Sequence, residues 1–241
     1  MTTRPNAPRT AADAKTQPIG PVMLHIGTDV DEAISAEFDR WCEGHVEDNL
    51  KLPGFVSARR LKRSPGHAAA GYAPDSLTLY QLESTAALET PEYEGRQVSM
   101  PAHFAGRVRF KRSLYRELGV PAGVRTQETG PALLHVTVDV AEPDWRPRFV
   151  DWYVNVHVAA VLSAPGMLGA RRFENVDVAA GRPLGEGDHT YCTLYEMEDA
   201  GVLMRPSTLE AAGRGACPPD LAPHRVALNH TYEEIFRASR R

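Results

Sequence analysis

Two histidines stand at corresponding places in the chain and could supply acid–base chemistry. His45 ends the pattern Phe-x2-Trp-x3-His, and His157 ends the pattern Phe-x2-Trp-x4-His. Imidazole is the side chain most easily set as a general base near neutral pH. Each histidine could therefore remove an acidic C–H or phenolic proton from a substrate. The structural alternative is that each one bonds the backbone of the next loop and fixes the Pro-Gly turn that follows it.

A second pair of histidines lies upstream, in stretches whose alternating apolar residues predict β-strands. His25 lies on the opposite strand face from Leu24 and Ile26, and His135 lies on the opposite face from Leu134. We assign this less apolar face to the space between two sheets, where the histidines would bind substrate or transfer a proton. The alternative is that they fill the sheet interface or pair with a cross-strand tyrosine.

Four aromatic side chains accompany the histidines. Trp41 and Trp152 share a helix face with His45 and His157, and Tyr80 and Tyr195 occupy matching positions in two Thr-Leu-Tyr segments. Such rings could bind an aromatic substrate by stacking, and tyrosine hydroxyls could orient a phenol or a carbonyl. The alternative role for all four is to anchor the hydrophobic core.

The motif Ala-Arg-Arg occurs twice, at 58–60 and at 170–172. Arg60 and Arg172 could clamp a substrate carboxylate, because a guanidinium presents paired N–H donors to carboxylate oxygens. The alternative is that both arginines have no substrate role and lie at a solvated strand edge.

Several other chemistries have no motif in the sequence. The chain contains no P-loop, no glycine-rich dinucleotide fingerprint after a strand and no Gly-x-Ser-x-Gly nucleophile elbow. No cluster of histidine, cysteine and carboxylate residues has the spacing of a metal site. We therefore expect no metal and no tightly bound organic cofactor. A lone histidine in a cavity would still suit haem as an axial ligand.

Composition and charge favour a globular protein whose partner is a small hydrophobic molecule. Of the 241 residues, 42% are hydrophobic and 24% are charged, as is ordinary for globular proteins. The net charge of −4 and the lack of a basic stripe argue against a nucleic-acid partner. No apolar run approaches the ~20 residues that a membrane span needs. The three scattered cysteines fit a reducing compartment, so we expect a cytoplasmic protein.

The whole pattern of the chain occurs twice. Residues 20–62 and 130–173 share the order Gly-Pro, Leu-His, Asp-Val, Phe, Trp, His, Pro-Gly and Ala-Arg-Arg, and the Thr-Leu-Tyr segments follow at matching distances. Units of this length are small domains, too long for solenoid repeats. We predict a disordered tail over 1–19, a first repeat over 20–118, a linker over 119–130 and a second repeat over 131–237.

Each repeat has the pattern β-α-β-β-α-β, which is the ferredoxin-like arrangement of a four-stranded antiparallel sheet with both helices on one face. The bare, partly apolar face of such a sheet must be buried, and the second copy is its obvious partner. We therefore predict an α+β protein whose two sheets pack face to face around a cavity. The glycine- and proline-rich stretches 64–75 and 177–188 are predicted as loops or lids. On regular helices, the extra residue before His157 would rotate this side chain by about 100° relative to Trp152.

These motifs resemble the dimeric α+β barrel superfamily in a tandem-fused form. The first copy, with Phe-x2-Trp-x3-His and Pro-Gly-Phe-x2-Ala-Arg-Arg, is similar to the EthD-like branch, and the resemblance extends from Gly20 to Phe236. The second copy departs from it in the longer Trp-x4-His spacing and in Met167, which replaces the phenylalanine. The resemblance implies the barrel fold. It leaves the reaction open, because the superfamily includes cofactor-free monooxygenases, polyketide cyclases, isomerases, dehydratases and haem enzymes.

Three hypotheses about function follow. The first is an enzyme that binds a mostly apolar, aromatic or polyketide-like molecule, uses His45 or His157 as a base, and catalyses elimination, cyclisation or isomerisation. The second is a cofactor-free monooxygenase, in which the same carbanion reacts with O2. The third is a non-catalytic ligand-binding or assembly protein. We expect the two half-sites to be unequal, with His45 favoured as the base because Gly44 leaves room beside it, and a homodimer is a further possible partner arrangement.

Overall fold

The computed structural model describes residues 20–70, 73–96, 100–119, 130–140, 143–185, 187–221 and 224–240. The predicted tail over 1–19 and most of the predicted linker lie outside these residues. The described strands are β1 (Val22–Val30), β2 (Phe55–Ala70), β3 (Ser76–Leu82), β4 (Val108–Leu118), β5 (Ala132–Val140), β6 (Met167–Asn175), β7 (Tyr191–Met197) and β8 (His224–Ser239). The described α-helices are α1 (Ser35–Asn49), α2 (Pro91–Glu94), α3 (Arg146–Trp152), α4 (Ala159–Leu162), α5 (Val176–Ala179) and α6 (Pro206–Arg214), and a π-helical turn over Tyr153–Val158 joins α3 to α4.

The strands form one closed antiparallel barrel in the order β1-β3-β2-β8-β5-β7-β6-β4. The first half of the chain contributes β4-β1-β3-β2, and the second half contributes β8-β5-β7-β6, so both halves have the same strand order. The halves meet at two seams, where β2 pairs with β8 and β4 pairs with β6. These pairings join the two predicted sheets edge to edge, and closure satisfies the backbone groups that a free edge would leave open.

Alternation along the strands separates the barrel interior from the outer face, which carries the helices. Leu24 points outward and packs in the helix-covered core of the first half. Met23 and Leu133 point inward and share one interior core that both halves build. His25 and His135 also point inward, in agreement with the alternation of the sequence.

The first arginine of each Ala-Arg-Arg motif points into the barrel and binds the opposite half. Arg59 donates to Glu196 Oε1 at 2.6 Å, to Glu234 Oε2 at 2.7 Å and to the Gly130 carbonyl at 3.0 Å. These acceptors all belong to the second half. Because Arg59 is itself in the first half, its hydrogen bonds hold the β2–β8 seam closed.

The other seam has the reciprocal arrangement. Arg171, in the second half, donates to both carboxylate oxygens of Glu117 at 2.9 and 2.7 Å. It also donates to Gln81 Oε1 at 2.8 Å and to the Gly20 carbonyl at 2.9 Å. Charge-assisted, bidentate hydrogen bonds of this kind are the strong ones in proteins. Each half thus uses the first arginine of its Ala-Arg-Arg motif to bind the other half, which explains why the motif occurs twice.

Two strands are longer than the sequence predicts. β2 continues to Ala70, although 64–75 was predicted as a loop, and β8 continues to Ser239, although its sequence pattern predicts a strand over 225–232. The two strands pair along this length with several irregularities in register. The partner that satisfies the backbone of 64–70 comes from the opposite end of the chain, so no local pattern reveals it. The matching stretch 177–188 contains the end of α5 and then irregular backbone.

Candidate functional site

A cavity lies outside the barrel in the second half, between the sheet and the helical layer. Its volume of about 370 Å³ is within the usual range for small-molecule sites. The floor comes from the outer faces of β5 and β7, one wall comes from α3 and the π-turn, and the segment 203–217 closes the other side. The lining is mainly apolar and aromatic, and includes Leu134, Val136, Trp152, Tyr153, His157 and Tyr195.

The π-turn brings His157 to this cavity. The second copy has one residue more than the first between tryptophan and histidine, and a π-turn absorbs one extra residue by widening the helix. The ring centroids of His157 and Trp152 are 5.4 Å apart, close to the 5.1 Å between His45 and Trp41. The predicted rotation of His157 assumed a regular helix. The π-turn removes that condition and keeps the ring near Trp152, with planes 44° apart compared with 15° in the first half.

Hydrogen bonds give the two helix histidines opposite tautomers. His157 Nδ1 lies 2.9 Å from the Gly215 carbonyl oxygen, which can only accept, so Nδ1 carries the proton. In neutral His157 the lone pair is therefore on Nε2. His45 Nδ1 lies 3.3 Å from Nη2 of Arg96, which can only donate, so neutral His45 has its proton on Nε2. Burial and the charge of Arg96 lower the pKa of His45 to about 4.

Two tyrosine hydroxyls form a hydrogen-bonded pair in the cavity wall. Tyr195 donates to the hydroxyl oxygen of Tyr153 at 3.1 Å, and both residues line the cavity. Burial raises the pKa of both hydroxyls, so both are protonated at neutral pH. Because Tyr153 accepts the proton of Tyr195 and the Thr193 side chain also hydrogen-bonds it, its own proton is directed to the Thr193 hydroxyl or to a bound molecule.

The second arginine of each Ala-Arg-Arg motif is buried beneath the helices, which rules out the solvated strand edge. Arg60 is 0% exposed and Arg172 is 2% exposed. Arg60 donates to the carboxylate of Asp39 at 2.8 Å and to its carbonyl at 3.1 Å. In the aligned position of the second half, Val150 replaces Asp39. Nε and Nη2 of Arg172 have no hydrogen-bond partner among the described residues, and its Cζ lies 5.2 Å from the ring centroid of Tyr153.

The first half uses its matching residues differently. The Tyr80 hydroxyl accepts a hydrogen bond from Asn49 Nδ2 at 2.7 Å, and both residues are buried. The rings of Trp41 and His45 stack with their planes 15° apart. Of the residues predicted from the sequence, the cavity therefore brings together His157, Trp152 and Tyr195, whereas His45, Trp41 and Tyr80 lie in the other half.

His25 and His135 meet inside the barrel. Their ring centroids are 4.9 Å apart with planes 21° apart, and the residues are 7% and 2% exposed. The rings of Tyr115 and Tyr232 lie edge-on to them, at 6.1 Å. None of the four imidazole nitrogens has a hydrogen-bond partner within the described part of the chain. The space predicted between the sheets is thus occupied by side chains at this level, and the cavity lies beneath the helices instead.

Sequence reasoning missed Tyr153 as a part of the site, and it gave Arg172 only together with Arg60 as a possible carboxylate clamp. Two differences between the copies mark them: the extra residue of the Trp-x4-His pattern, which the π-turn accommodates, and Val150, which stands where the first copy has a carboxylate. The closing segment 203–217 carries no motif, and its role depends on tertiary packing.

The residues of the site do not fit a metal or haem. Within the described ranges, no group of three histidine, cysteine or carboxylate side chains is placed to hold a metal ion. His157 is suited to be an axial ligand, because its Nδ1 bonds a carbonyl as ligating histidines do. A haem, however, brings two carboxylate groups into its site, and the described lining contains no lysine or arginine to bind them.

No protein-family model matches the chain, and no curated protein matches it. Solved structures do resemble it. An anthrone oxidase-like protein superposes with a TM-score of 0.60 at 13% identity, covering 95% of each chain. A proposed monooxygenase from Fusobacterium nucleatum subsp. nucleatum gives a TM-score of 0.53 at 8% identity, covering 91% of this chain and 95% of that one. A proposed chlorite dismutase gives 0.53 at 13% identity, covering 90% and 96%.

These neighbours belong to the dimeric α+β barrel superfamily, and the eight-stranded antiparallel barrel with outer helices has that fold. At identities of 8–13% the likeness establishes the fold alone, because one fold carries many reactions. In the part of the chain that the structure describes, no helix has the length and apolar character to cross a membrane.

Proposed function

We propose that the protein is a small-molecule enzyme that binds a mostly apolar, aromatic or polyketide-like substrate in the second-half cavity and uses His157 to remove a proton from it. The observation that carries this proposal is the convergence of an imidazole and a tyrosine hydroxyl pair on a mainly apolar cavity. Small-molecule sites commonly have this composition, in which a few placed polar groups fix the orientation of the ligand.

The hydrogen bonds of the site give each group a role. An acidic C–H or a phenolic O–H would lose its proton to His157 Nε2, and the Gly215 carbonyl would hold the resulting imidazolium through Nδ1–H. The substrate oxygen that gains negative charge would accept a hydrogen bond from Tyr153, whose oxygen is itself bonded by Tyr195. Elimination, ring closure or isomerisation can each proceed from such an anion. The tautomers favour His157 over His45 as the base, although the sequence favours His45.

The second candidate is a cofactor-free monooxygenase acting on the same class of substrate. The names of two fold neighbours, the anthrone oxidase-like protein and the proposed monooxygenase, favour it. The substrate anion would react with O2; an anthrone would retain one oxygen atom and become an anthraquinone, and the other atom would leave as water. Both candidates begin with deprotonation by His157. They can be distinguished because only the monooxygenase consumes O2.

Anthrone is a suitable test molecule because its ring methylene group is acidic and its rings are apolar. In D2O under nitrogen, we expect the protein to accelerate exchange of the methylene protons, measured by NMR. In air, oxygen uptake with formation of anthraquinone would support the monooxygenase, whereas exchange without oxygen uptake would support the lyase or isomerase type. Binding without exchange would overturn the proposal in favour of a non-catalytic ligand-binding protein.

The two helix histidines should respond differently to the same substitution. We expect His157→Gln to lower the exchange rate by about 10²–10⁴-fold, the usual contribution of a general base, with folding intact. The matched change His45→Gln should keep the exchange rate and lower the thermal midpoint, because it removes the stack on Trp41 and the contact with Arg96. Equal loss of rate in both variants would indicate two working half-sites, and full rates in both would remove these histidines from the mechanism.

We also propose that the two halves are tandem copies of one ferredoxin-like unit and that this unit is of the EthD-like type. The equal strand order of the halves and the reciprocal arginines at the seams support the duplication. The homodimer, the cytoplasmic location and substrate contacts by His25, His135, Trp41 and Tyr80 stay predictions from the sequence.

A further inference from the structure

Arg172 carries a buried positive charge that forms no ion pair with the described residues, and the carboxylate that attracts it, Glu174, is itself paired with Arg116. In the first half, Asp39 forms an ion pair with Arg60 and also with Lys62. In the second half, Val150 occupies the place of Asp39, and the described residues form no ion pair with Arg172. An uncompensated buried charge is costly, and one of its partners in the native protein can be an anionic ligand.

The position of Arg172 relates this charge to the cavity. Its Cζ lies 5.2 Å from the centroid of the Tyr153 ring, and Tyr153 lines the cavity. The charge is therefore in contact with a residue of the cavity wall. A charge at this depth acts through a low-dielectric medium and is screened less by salt than a surface charge would be.

The hydroxyl pair would complete the recognition. The Tyr153 oxygen accepts a hydrogen bond from Tyr195, and its proton can be shared between the neighbouring Thr193 hydroxyl and a ligand oxygen. A negatively charged oxygen of a ligand would accept this proton in a charge-assisted hydrogen bond, which is stronger than a bond to a neutral oxygen. Arg172 and Tyr153 thus both favour the anionic form of the same ligand atom.

We infer that the cavity selects apolar molecules carrying one acidic oxygen, such as phenols and enolisable ketones, and binds them as oxyanions, with Tyr153 as the hydrogen-bond donor and Arg172 as the specificity-determining charge. The inference rests on the proposed function, since it takes the second-half cavity as the ligand site. To the proposed function, the inference adds that the ligand binds as an anion and that Arg172 selects this charge state.

The test uses 4-nitrophenol, whose absorbance reports ionisation, and its uncharged methyl ether, 4-nitroanisole. We expect the wild-type protein to bind 4-nitrophenolate at least about tenfold more tightly than 4-nitrophenol, seen as a pKa of the bound probe lowered by about one unit or more. Arg172→Met should reduce this preference to the smaller part that the Tyr153 hydrogen bond supplies. The affinity for 4-nitroanisole should be the same in both proteins.

A second pair of variants covers the case in which Arg172→Met does not fold. Val150→Asp installs the carboxylate that the first half has, and should reduce the preference as Arg172→Met does while Arg172 is retained. Val150→Asn is its uncharged control and should keep the preference. A wild-type protein that leaves the pKa of the bound probe unchanged, or a Val150→Asp protein that prefers the anion as strongly as the wild type, would overturn the inference.

The outcomes also separate this inference from the proposed function. If 4-nitroanisole binds as tightly as 4-nitrophenolate and His157→Gln still abolishes proton exchange in anthrone, the proposed function stands and the inference fails. If neither these probes nor anthrone bind to the wild-type protein, the cavity is not a ligand site and both fail together.

Discussion

Replacing Arg59 by methionine should lower the free energy of unfolding by roughly 3–5 kcal/mol, the usual cost of breaking a buried ion pair by removing one partner. The side chain of Arg59 is 11% exposed and that of its partner Glu196 is 5% exposed. The variant would leave Glu196 as a buried carboxylate without its arginine. Glu234, the other acidic partner, would retain Arg237, so Glu196 accounts for most of the expected loss.

The second seam provides a matched comparison. Arg171 binds Glu117, whose side chain is 22% exposed, and the neutral Gln81, which stands where the second half has Glu196. Arg171→Met would therefore leave no deeply buried charge and should cost less than Arg59→Met. For the same reason, adding Glu196→Gln to the Arg59→Met variant should restore part of the lost stability.

Urea unfolding at neutral pH measures these differences as shifts in midpoint at constant slope. Lys51→Met removes an exposed partner of Asp48 and serves as the surface control, with an expected cost under about 1 kcal/mol. An Arg59→Met protein that is no less stable than this control would show that the interior arginine is not what holds the β2–β8 seam.

The faces of the strands could be predicted from the sequence because they depend on a period of two residues. The alternation around Leu24 and His25 is local, and the same alternation occurs in β5. The structure places the leucine under helices and the histidine in the interior, as that period requires. The repeat indicated that each sheet packs with the sheet of the other copy. The pairing of the two halves could therefore be predicted without knowing any contact between distant residues.

What the sequence could not show depends on contacts between distant residues. The extension of β2 to Ala70 is made by pairing with β8, which lies at the other end of the chain. The π-turn is one of several ways to accommodate an inserted residue, and the sequence pattern does not distinguish among them. The cavity likewise depends on differences between the copies, such as Tyr153 in place of Cys42. The effect of these differences depends on how the helices pack on the sheet, which the sequence alone does not show.

The stacked histidines of the barrel interior should make the protein sensitive to mild acid. Burial lowers the pKa of His25 from 6.5 to about 4 and holds the pKa of His135 well below its usual value. The neighbouring ionisable groups are His189 and Asp188, which act on His25 in opposite directions, and His230, which lowers the pKa of His135. Both histidines are therefore neutral in the folded protein at pH 7, as stacking of their rings requires.

The sign of the effect follows from proton binding. Above pH 6.5 the histidines are neutral in both the folded and the unfolded chain, and their contribution to stability is fully present. As the pH falls below 6.5, the unfolded chain binds protons that the folded barrel does not, so stability is lost until the pH reaches the folded pKa. For His25 alone, the loss between pH 6.5 and pH 4 is roughly 3 kcal/mol, with a further loss from His135.

A double variant, His25→Phe with His135→Phe, tests this account. Phenylalanine keeps an aromatic stack and cannot bind a proton, and no hydrogen bond of the described residues is lost, since the imidazole nitrogens have no partners there. We expect the wild-type free energy of unfolding to fall steeply between pH 6.5 and pH 4, and the double variant to fall by less, with similar stability at pH 7.5. His103→Gln, at an exposed position paired with Glu37, is the surface control measured alongside. The profile is measured by urea unfolding at each pH.

If the double variant loses stability as steeply as the wild type, the acid sensitivity must come from other groups. Among these, the half-buried His45 is the first to examine, because its pKa is also about 4.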